Sequence, residues 1–454
     1  MSERNRREFL IGAAATAGAL AAARPVSAQK SANDTVNIAV VGIHGRGSAH
    51  INEFAKLPNV RIVALCDVDS RLFPEAVARV EKLTGHKPDT VGDIRKLLER
   101  KDLDAVSIAT PDYWHALMTI WACQAGKDVY VEKPVSFTIE EGRKMVQAAR
   151  KYNRIVQVGL NRRSDPDVRS AVHALQSGIL GDIYRGRMEI VKPRASIGKM
   201  QEASVPDGVN WDLYLGPTPM KAFQVNQFHY GWHFFWDTST TDVGNTGVHH
   251  LDVIRWARNI KEHPVKVFCG GGVYVHDSDQ QVPNVQMGIF EYADGQVTDF
   301  EVTNLFSPES RGGDIFYAKE GWATSAGGWK LMKGTFNFRN TPDVSPNGVD
   351  ERTTRAGFPR TSYDEIAIPP LNEPEVTHFG NFVDCVRSHK RENLHCEVEE
   401  GHISTTMAHL ANISFRLGRS LEFNPKTERF VKDAEADKML TREYRKPYEL
   451  PSTI

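Results

Sequence analysis

Residues 36–50, VNIAVVGIHGRGSAH, put a six-residue β-compatible run directly before a glycine turn and a helix-compatible stretch. Few folds accept that order. A buried strand that ends in glycines and feeds a helix gathers free backbone N–H groups and the positive end of the helix dipole at one point, which suits a pyrophosphate. Gly42 and Gly47 hold the outer positions of a G-x-G-x-x-G pattern, His44 takes the middle one, and Gly45 follows. A Cβ in the middle crowds the phosphates, so the turn is expected to shift by one residue and let Gly45 make the close approach. The same loop is otherwise an ordinary tight turn.

Further apolar runs at 60–67, 104–110, 127–133 and 154–160 alternate with amphipathic stretches at 74–85 and 138–152. That alternation predicts an α/β fold, opening with a Rossmann-type doubly wound parallel sheet. After Asn161 the pattern changes. A helix at 166–177 and a long strand at 183–192 precede an aromatic-rich loop at 208–219 and a helix at 248–258. Period-2 runs at 265–276, 285–293 and 296–306, then helices at 377–390 and 399–418, predict a second α/β domain with an open, mostly antiparallel sheet. A length of 454 residues fits two domains better than one.

The first residues carry a separate message. Arg6 and Arg7 precede Phe9 and an Ala-rich apolar run from Leu10 to Ala23, with a small-residue cleavage pattern at Val26-Ser27-Ala28. This resembles a twin-arginine signal peptide over 1–28, with a mature chain from about Gln29 and export to the periplasm as a folded protein. An ordinary secretory signal or a retained anchor is the alternative. No stable membrane span is expected after processing. With 56 basic and 57 acidic residues, the net charge of −1 gives no electrostatic case for nucleic acid. Five widely spaced cysteines without a CxxC predict neither a disulfide framework nor a zinc cluster, although Cys385 and Cys396 are a conceivable pair. No metal-ligand spacing stands out, and no metal is expected.

Four features carry chemistry. Asp67 ends the second strand about 20 residues past the glycine loop, where a carboxylate accepts from the ribose 2′-hydroxyl and repels a 2′-phosphate. NAD is therefore expected over NADP, with Arg46 and Arg71 able to soften the preference; a helix cap is the plainer role for Asp67. Glu132-Lys133-Pro134 closes a central strand, at the sheet edge where ligands sit. A desolvated lysine there can exchange a proton with a substrate hydroxyl, or simply pair with a carboxylate. In Asn245–Asp252, NTGVHHLD, Asn245 and His249 share a helical face, and His249 and Asp252 are also neighbours. His249 is a candidate base, or a buried structural histidine. Tyr230, Trp232 and Trp236 belong to an aromatic block fit to pack sugar C–H faces, or to fill core.

Together, VGIHGRGSAH, ALCDVD, SIATPDYWHALM, VYVEKPVS, VGLNRRSDP, GNTGVHHLDVIRW and HFGNFVDCVRS resemble the glucose-fructose oxidoreductase / inositol dehydrogenase / rhizopine catabolism family (Gfo/Idh/MocA) over most of the chain. The resemblance implies a Rossmann domain over 29–160 and a substrate-binding domain over 161–454 whose open sheet mediates homo-oligomers. It implies a nicotinamide cofactor against Gly42, His44, Gly45, Arg46, Gly47, Asp67, Arg71, Thr110, Pro111, His115, Glu132 and Lys133. Lys133 and His249 would flank the substrate carbon. Arg162, Arg163, Trp232, Trp236, Asn245 and Asp252 would position a sugar or polyol. Many family members carry an aspartate four residues before the histidine; Asn245 binds a hydroxyl but cannot take its proton, which leaves His249 as base. An exported enzyme lacks a free NAD pool, so the cofactor would travel bound and be recycled in place. A redox-neutral lyase or glycosidase working through a 3-keto intermediate is one alternative. A non-catalytic carbohydrate-binding protein is another.

Overall fold

β1 (Val36–Val41) is almost wholly buried and pairs in parallel with β2 (Val60–Cys66) on one side and β4 (Ala105–Ile108) on the other. The computed structural model describes residues 35–307, 312–335 and 362–454. The signal expected over 1–28 lies outside them. Val36–Ile454 forms one unit. With β3 (Asp89–Val91), β5 (Asp128–Val131) and β6 (Val156–Val158) the first sheet runs β3-β2-β1-β4-β5-β6. All its pairs are parallel, and helices including Arg46–Ala55, His115–Gln124 and Ile139–Lys151 connect the strands. The order reverses between β1 and β4, so a crevice opens beyond their carboxyl ends. β3 escapes the sequence pattern because its three residues are not buried.

The second sheet is built around β7 (Ile183–Val191), with Gly186, Met188 and Ile190 facing inward. β7 pairs in parallel with β10 (Val297–Thr303) and antiparallel with β11 (Gly313–Ala318). A parallel neighbour needs a crossover, and the helix Val248–Ala257 lies in that connection. It packs close to the sheet: a Cβ on Gly186 would stand 2.4 Å from Ile254 Cγ2. β8 (Lys266–Gly272) and β9 (Val285–Glu291) follow on one side, and β12 (Gly321–Thr324), β13 (Lys330–Thr335) and β14 (Ser362–Ile366) on the other. β15 (Leu421–Asn424) and β16 (Arg429–Phe430) end the sheet beyond β8. The four strands β11–β14 have no counterpart in the sequence reading. The opposite sheet face carries the Arg185–Asp299 ion pair and the exposed Phe268, Met287 and Ile289.

The helix Val398–Leu417 joins both halves. It packs against β8, and most of its buried polar residues find a partner in another segment, Thr406 Oγ1 being an exception. Thr405 Oγ1 accepts from the Val135 N–H at 3.2 Å. Asn412 donates to Thr240 O at 2.7 Å, and Ser404 donates to Asp252 at 2.7 Å. Beside it, His263 and His402 each reach Glu428 Oε1 through Nε2, at 2.8 and 2.9 Å, while the Arg143 guanidinium forks the same carboxylate. The sequence analysis expected no metal, yet these three ligand types converge within 4.8 Å. The separation 263–402–428 hides the cluster from any local pattern. Arg143 already balances its negative charge. All five cysteines are free, Cys385 and Cys396 included.

These partners hold the Glu428 carboxyl well below its usual range, despite the cost of burial. Burial lowers His402 to about 4. Both depressed values work in one direction: the stability they contribute is present near neutral pH and is lost as pH falls through the unfolded values and then the folded ones. Glu428→Gln is expected to lower stability at neutral pH by roughly 2–3 kcal/mol, less than a fully buried pair because the carboxylate is partly exposed. The acid loss of Tm should also become shallower, read by thermal melts across pH.

Candidate active site

A cavity of about 570 Å³ runs along the carboxyl ends of the first sheet and is closed by residues of the second domain. Its floor follows strand order. Asp93 lies after β3, Asp67 and Asp69 after β2, Gly42–Arg46 after β1, Thr110 and Pro111 after β4, and Glu132 and Lys133 at the end of β5. Lys192, Tyr230, Trp232, His233, Asn245, Thr246 and His249 form the far wall.

The glycine loop makes room for a ligand rather than for itself. Gly42 has φ 77°, and a Cβ there would meet the Ala109 carbonyl at 2.9 Å. Gly47 faces away from the cavity and brings the helix against the strand: a Cβ on it would overlap Gly42 O at 1.7 Å. Gly45 is the N-cap of Arg46–Ala55, with φ 51° and no side-chain cap on the helix. A Cβ at Gly45 would meet nothing, so the space over the helix end is open. His44 turns outward from the cradle onto His229, with ring centroids 4.4 Å apart. The uncapped N–H groups and the open cradle fit a dinucleotide pyrophosphate.

Asp67 ties the glycine loop to the turn that follows β2. Its carboxylate accepts from the Ile43 N–H at 2.8 Å and the Asp69 N–H at 2.9 Å, and it still lines the cavity. Burial raises its pKa. Asp69 adds a second carboxylate at this end, forked by Arg71. Glu132 is buried and accepts from Arg46 Nε at 2.6 Å and His50 Nε2 at 2.9 Å. His50 and Arg46 hold the carboxyl well below its usual range against the cost of burial, and Gly159 leaves the space it occupies. His115 bridges loops through Pro134 O at 2.7 Å and Thr110 O at 2.9 Å.

At the β5 end, Lys133 Nζ donates to Asn245 O at 2.7 Å and to its Oδ1 at 3.1 Å. Burial lowers the lysine pKa, and Arg46 and Lys192 lower it further. His249 is pushed well below the usual imidazole range by burial, then by Lys133 and Arg162. Its ring is therefore neutral, and its buried Nδ1 has no hydrogen-bond partner. Val243–Gly247 forms a π turn, and the α-helix begins at Val248. Asn245 and His249 both reach the cavity, but not through the α-helical spacing expected from sequence.

Several predicted site residues lie elsewhere. Asp252 is buried against Arg163, with two bonds at 2.8 and 2.9 Å, and Arg163 continues to Glu400. These two charges neutralise each other within the second domain and do not line the cavity. Arg162 turns to His250 and Asp314 on the second sheet. Arg71 is bound to Asp69 and is absent from the cavity wall. Trp236 packs beside Phe415 under the Arg416 guanidinium, away from Trp232, which does line the cavity. The sequence analysis gave no role to Asp112, Lys192 or Thr246, and took His233 only as part of the aromatic block. Asp112 is buried, accepts from Thr240 Oγ1 at 2.7 Å through one oxygen, and leaves Oδ1 unpartnered. Burial pushes its pKa up to about 7. His233 stacks on Trp232 at 3.6 Å, and burial lowers it to about 3.

A Rossmann sheet with an open phosphate cradle, joined to a mixed sheet that closes the crevice, defines a nicotinamide-dinucleotide protein of the oxidoreductase type. Residues 36–160 match the model of the oxidoreductase family, NAD-binding Rossmann fold, and residues 195–302 and 352–450 match its C-terminal α/β domain. The chain belongs to the Gfo/Idh/MocA oxidoreductase family and carries its NAD-binding domain. It is 31% identical over 157 residues to a glycosyl hydrolase family 109 protein of Shewanella sp. (strain W3-18-1), a match spanning 34% of each chain. The similarity thus covers only about a third of that relative's length. The fold is similar to the WlbA dehydrogenase of Bordetella pertussis, solved with NADH and UDP-GlcNAcA, at TM-score 0.60 and 18% identity, covering 86% of this chain and 99% of that one. It is also similar to the aldose-aldose oxidoreductase of Caulobacter crescentus, at TM-score 0.61 and 15% identity, over 86% and 100%.

Two measurements check this site. Asp67→Asn should weaken the preference for NAD over NADP about tenfold, or ~1.4 kcal/mol, by titration calorimetry with both nucleotides. Asp112 has a folded pKa above its unfolded one, so it lowers stability as pH rises from about 4 to about 7, with no further change above. Asp112→Asn should remove that slope and raise the Tm near pH 8, by up to roughly 2–4 kcal/mol of stability, while the gap to wild type closes near pH 4.

Proposed function

We propose that this protein transfers hydride between a CH–OH group of a sugar, sugar derivative or polyol and a tightly held NAD. One observation carries the reading: a neutral imidazole, His249, and a desolvated ammonium, Lys133, face the same end of the cavity. NAD, when bound, supplies the hydride acceptor. His249 takes the hydroxyl proton, because its neutral ring has a lone pair to offer. Lys133, held by Asn245, donates to the substrate oxygen and stabilises charge as it develops there. Asn245 orients without exchanging a proton. Trp232 offers an apolar face for the sugar.

The Arg6-Arg7 leader supports export of the folded, cofactor-loaded chain and recycling of NAD in place, with a second substrate reduced in turn. The open face of the second sheet, with Phe268, Met287 and Ile289 exposed, supports a homo-oligomer through that face. The family 109 likeness favours a second reading, in which a transient 3-keto sugar allows glycoside cleavage before re-reduction.

Mass spectrometry of nucleotide released from the denatured protein should find stoichiometric NAD. Incubation with glycosides then separates the readings: oxidised sugar with matching NADH supports the dehydrogenase, and cleaved glycoside without net NADH supports the lyase or glycosidase. Lys133→Met and His249→Gln should each lower kcat by about 10²–10⁴-fold. A histidine with a depressed pKa stays in its base form down to that pKa. The kcat/KM profile should therefore run flat through pH ~6.5, where an ordinary histidine would titrate.

A further inference from the structure

The charges along the cavity are sorted by sign. Asp67, Asp69 and Asp93 line the β2–β3 end, and Lys133 and Lys192 line the β5 end. The other charges near Lys133 are paired except Asp112, a buried cavity-lining carboxyl with Oδ1 unpartnered that burial pushes up to about 7, so it is only partly ionised near neutral pH. Arg46 is spent on Glu132. Arg194 forks Asp242, donates to Tyr230 Oη at 2.8 Å, and leaves that pair neutral. His233 and His249 are kept neutral by burial. Lys133 and Lys192 form no ion pair among the described residues.

Lys192 is placed rather than loose. It directly follows β7, and its backbone is fixed on both sides, by N–H to Thr303 O at 2.9 Å and by Asn304 Nδ2 to its own carbonyl at 3.1 Å. Its Nζ reaches toward Thr246 Oγ1 at 3.5 Å, on the π turn that also carries Asn245; in this structure that hydroxyl donates to Asp242 Oδ1 at 3.5 Å and must turn from it to meet a ligand. An ammonium and a hydroxyl side by side suit the two oxygens of one carboxylate. A lysine can hold a phosphate as a point charge, but the free guanidinium fork or helix N-terminus that would add directional bonds to a dianion is not found at this end. An oxidised nicotinamide would add a third positive charge beside the two amines, which a neutral substrate leaves unbalanced.

We propose that the substrate is an acidic sugar of the uronic acid class, whose carboxylate is read by Lys192 and Thr246 while its hydroxyl-bearing carbon faces Lys133 and His249. This rests on the hydride-transfer reading above, and it makes Lys192 a specificity-determining residue.

The test uses the NADH-loaded full chain, with quenching of bound NADH fluorescence as the binding readout and NADH formation on the NAD-loaded chain as the activity readout. Matched pairs are compared: glucuronate with glucose, galacturonate with galactose, N-acetylglucosaminuronate with N-acetylglucosamine, and glucose 6-phosphate as the other anion. At least one acid is expected to bind about tenfold or more tightly than its neutral partner. Lys192→Met should lower that ratio about tenfold, Lys192→Arg should restore most of it, and raised salt should weaken only the acids. Equal affinity for acid and neutral members would overturn the inference and leave the sugar reading standing. Tighter binding of glucose 6-phosphate than of any uronate would overturn the choice of carboxylate. If neither binding nor turnover appears with any sugar while NADH remains bound, the hydride-transfer reading falls, and this inference with it.

Discussion

The buried carboxylate of Glu132 is the interaction on which the site depends. It sits at the end of β5, and it is ionised there only because His50 and Arg46 reach it from the helix that follows the glycine loop. His50 in turn holds Ser107 of β4 at 2.8 Å, and Gly159 after β6 leaves the volume the carboxylate fills. One side chain thus ties together four neighbouring segments at the sheet's carboxyl edge. Lys133 leaves the chain one residue later, so its direction is set by the group that cannot move. Removing either partner would strand a charge in a dry site, which costs several kcal/mol.

The parts of the fold legible in sequence were those written locally. A glycine at positive φ and a run of β-branched residues announce themselves within a few positions, and the loop from Gly42 to Gly47 and the strand beside it are of that kind. Lys133 was legible for the same reason, as a motif at a strand end. The errors share a different cause. Arg162, Arg163 and Asp252 are charged, and near the site in sequence, yet their partners are Asp314, Glu400 and each other, distant in sequence within the second domain. Nothing in a local pattern says which way such a residue turns. Asn245 and His249 both line the cavity as expected, but a π turn, rather than the α-helix their spacing assumed, brings them there.

Asp112 and Lys192 were missed because each is ordinary in isolation. Asp112 reads as a loop acid after a proline, and only burial with one oxygen unpartnered makes it unusual. Lys192 reads as the end of a strand. Its meaning comes from the pairing of the charges next to it, Arg194 with Asp242 and Arg46 with Glu132, a property of the assembled wall and of no single residue.

The helix Val398–Leu417 has a mechanical consequence. It grips Val135, two residues past Lys133, through Thr405, and Thr240, five residues before Asn245, through Asn412. The two jaws of the crevice are thereby bolted to one rod. They cannot swing apart without unzipping buried hydrogen bonds along it. The gap between the lysine on one jaw and the imidazole on the other is set at folding rather than by arrival of a substrate, so binding free energy is not consumed in closing a hinge. The protein is built as a vise already tightened to width.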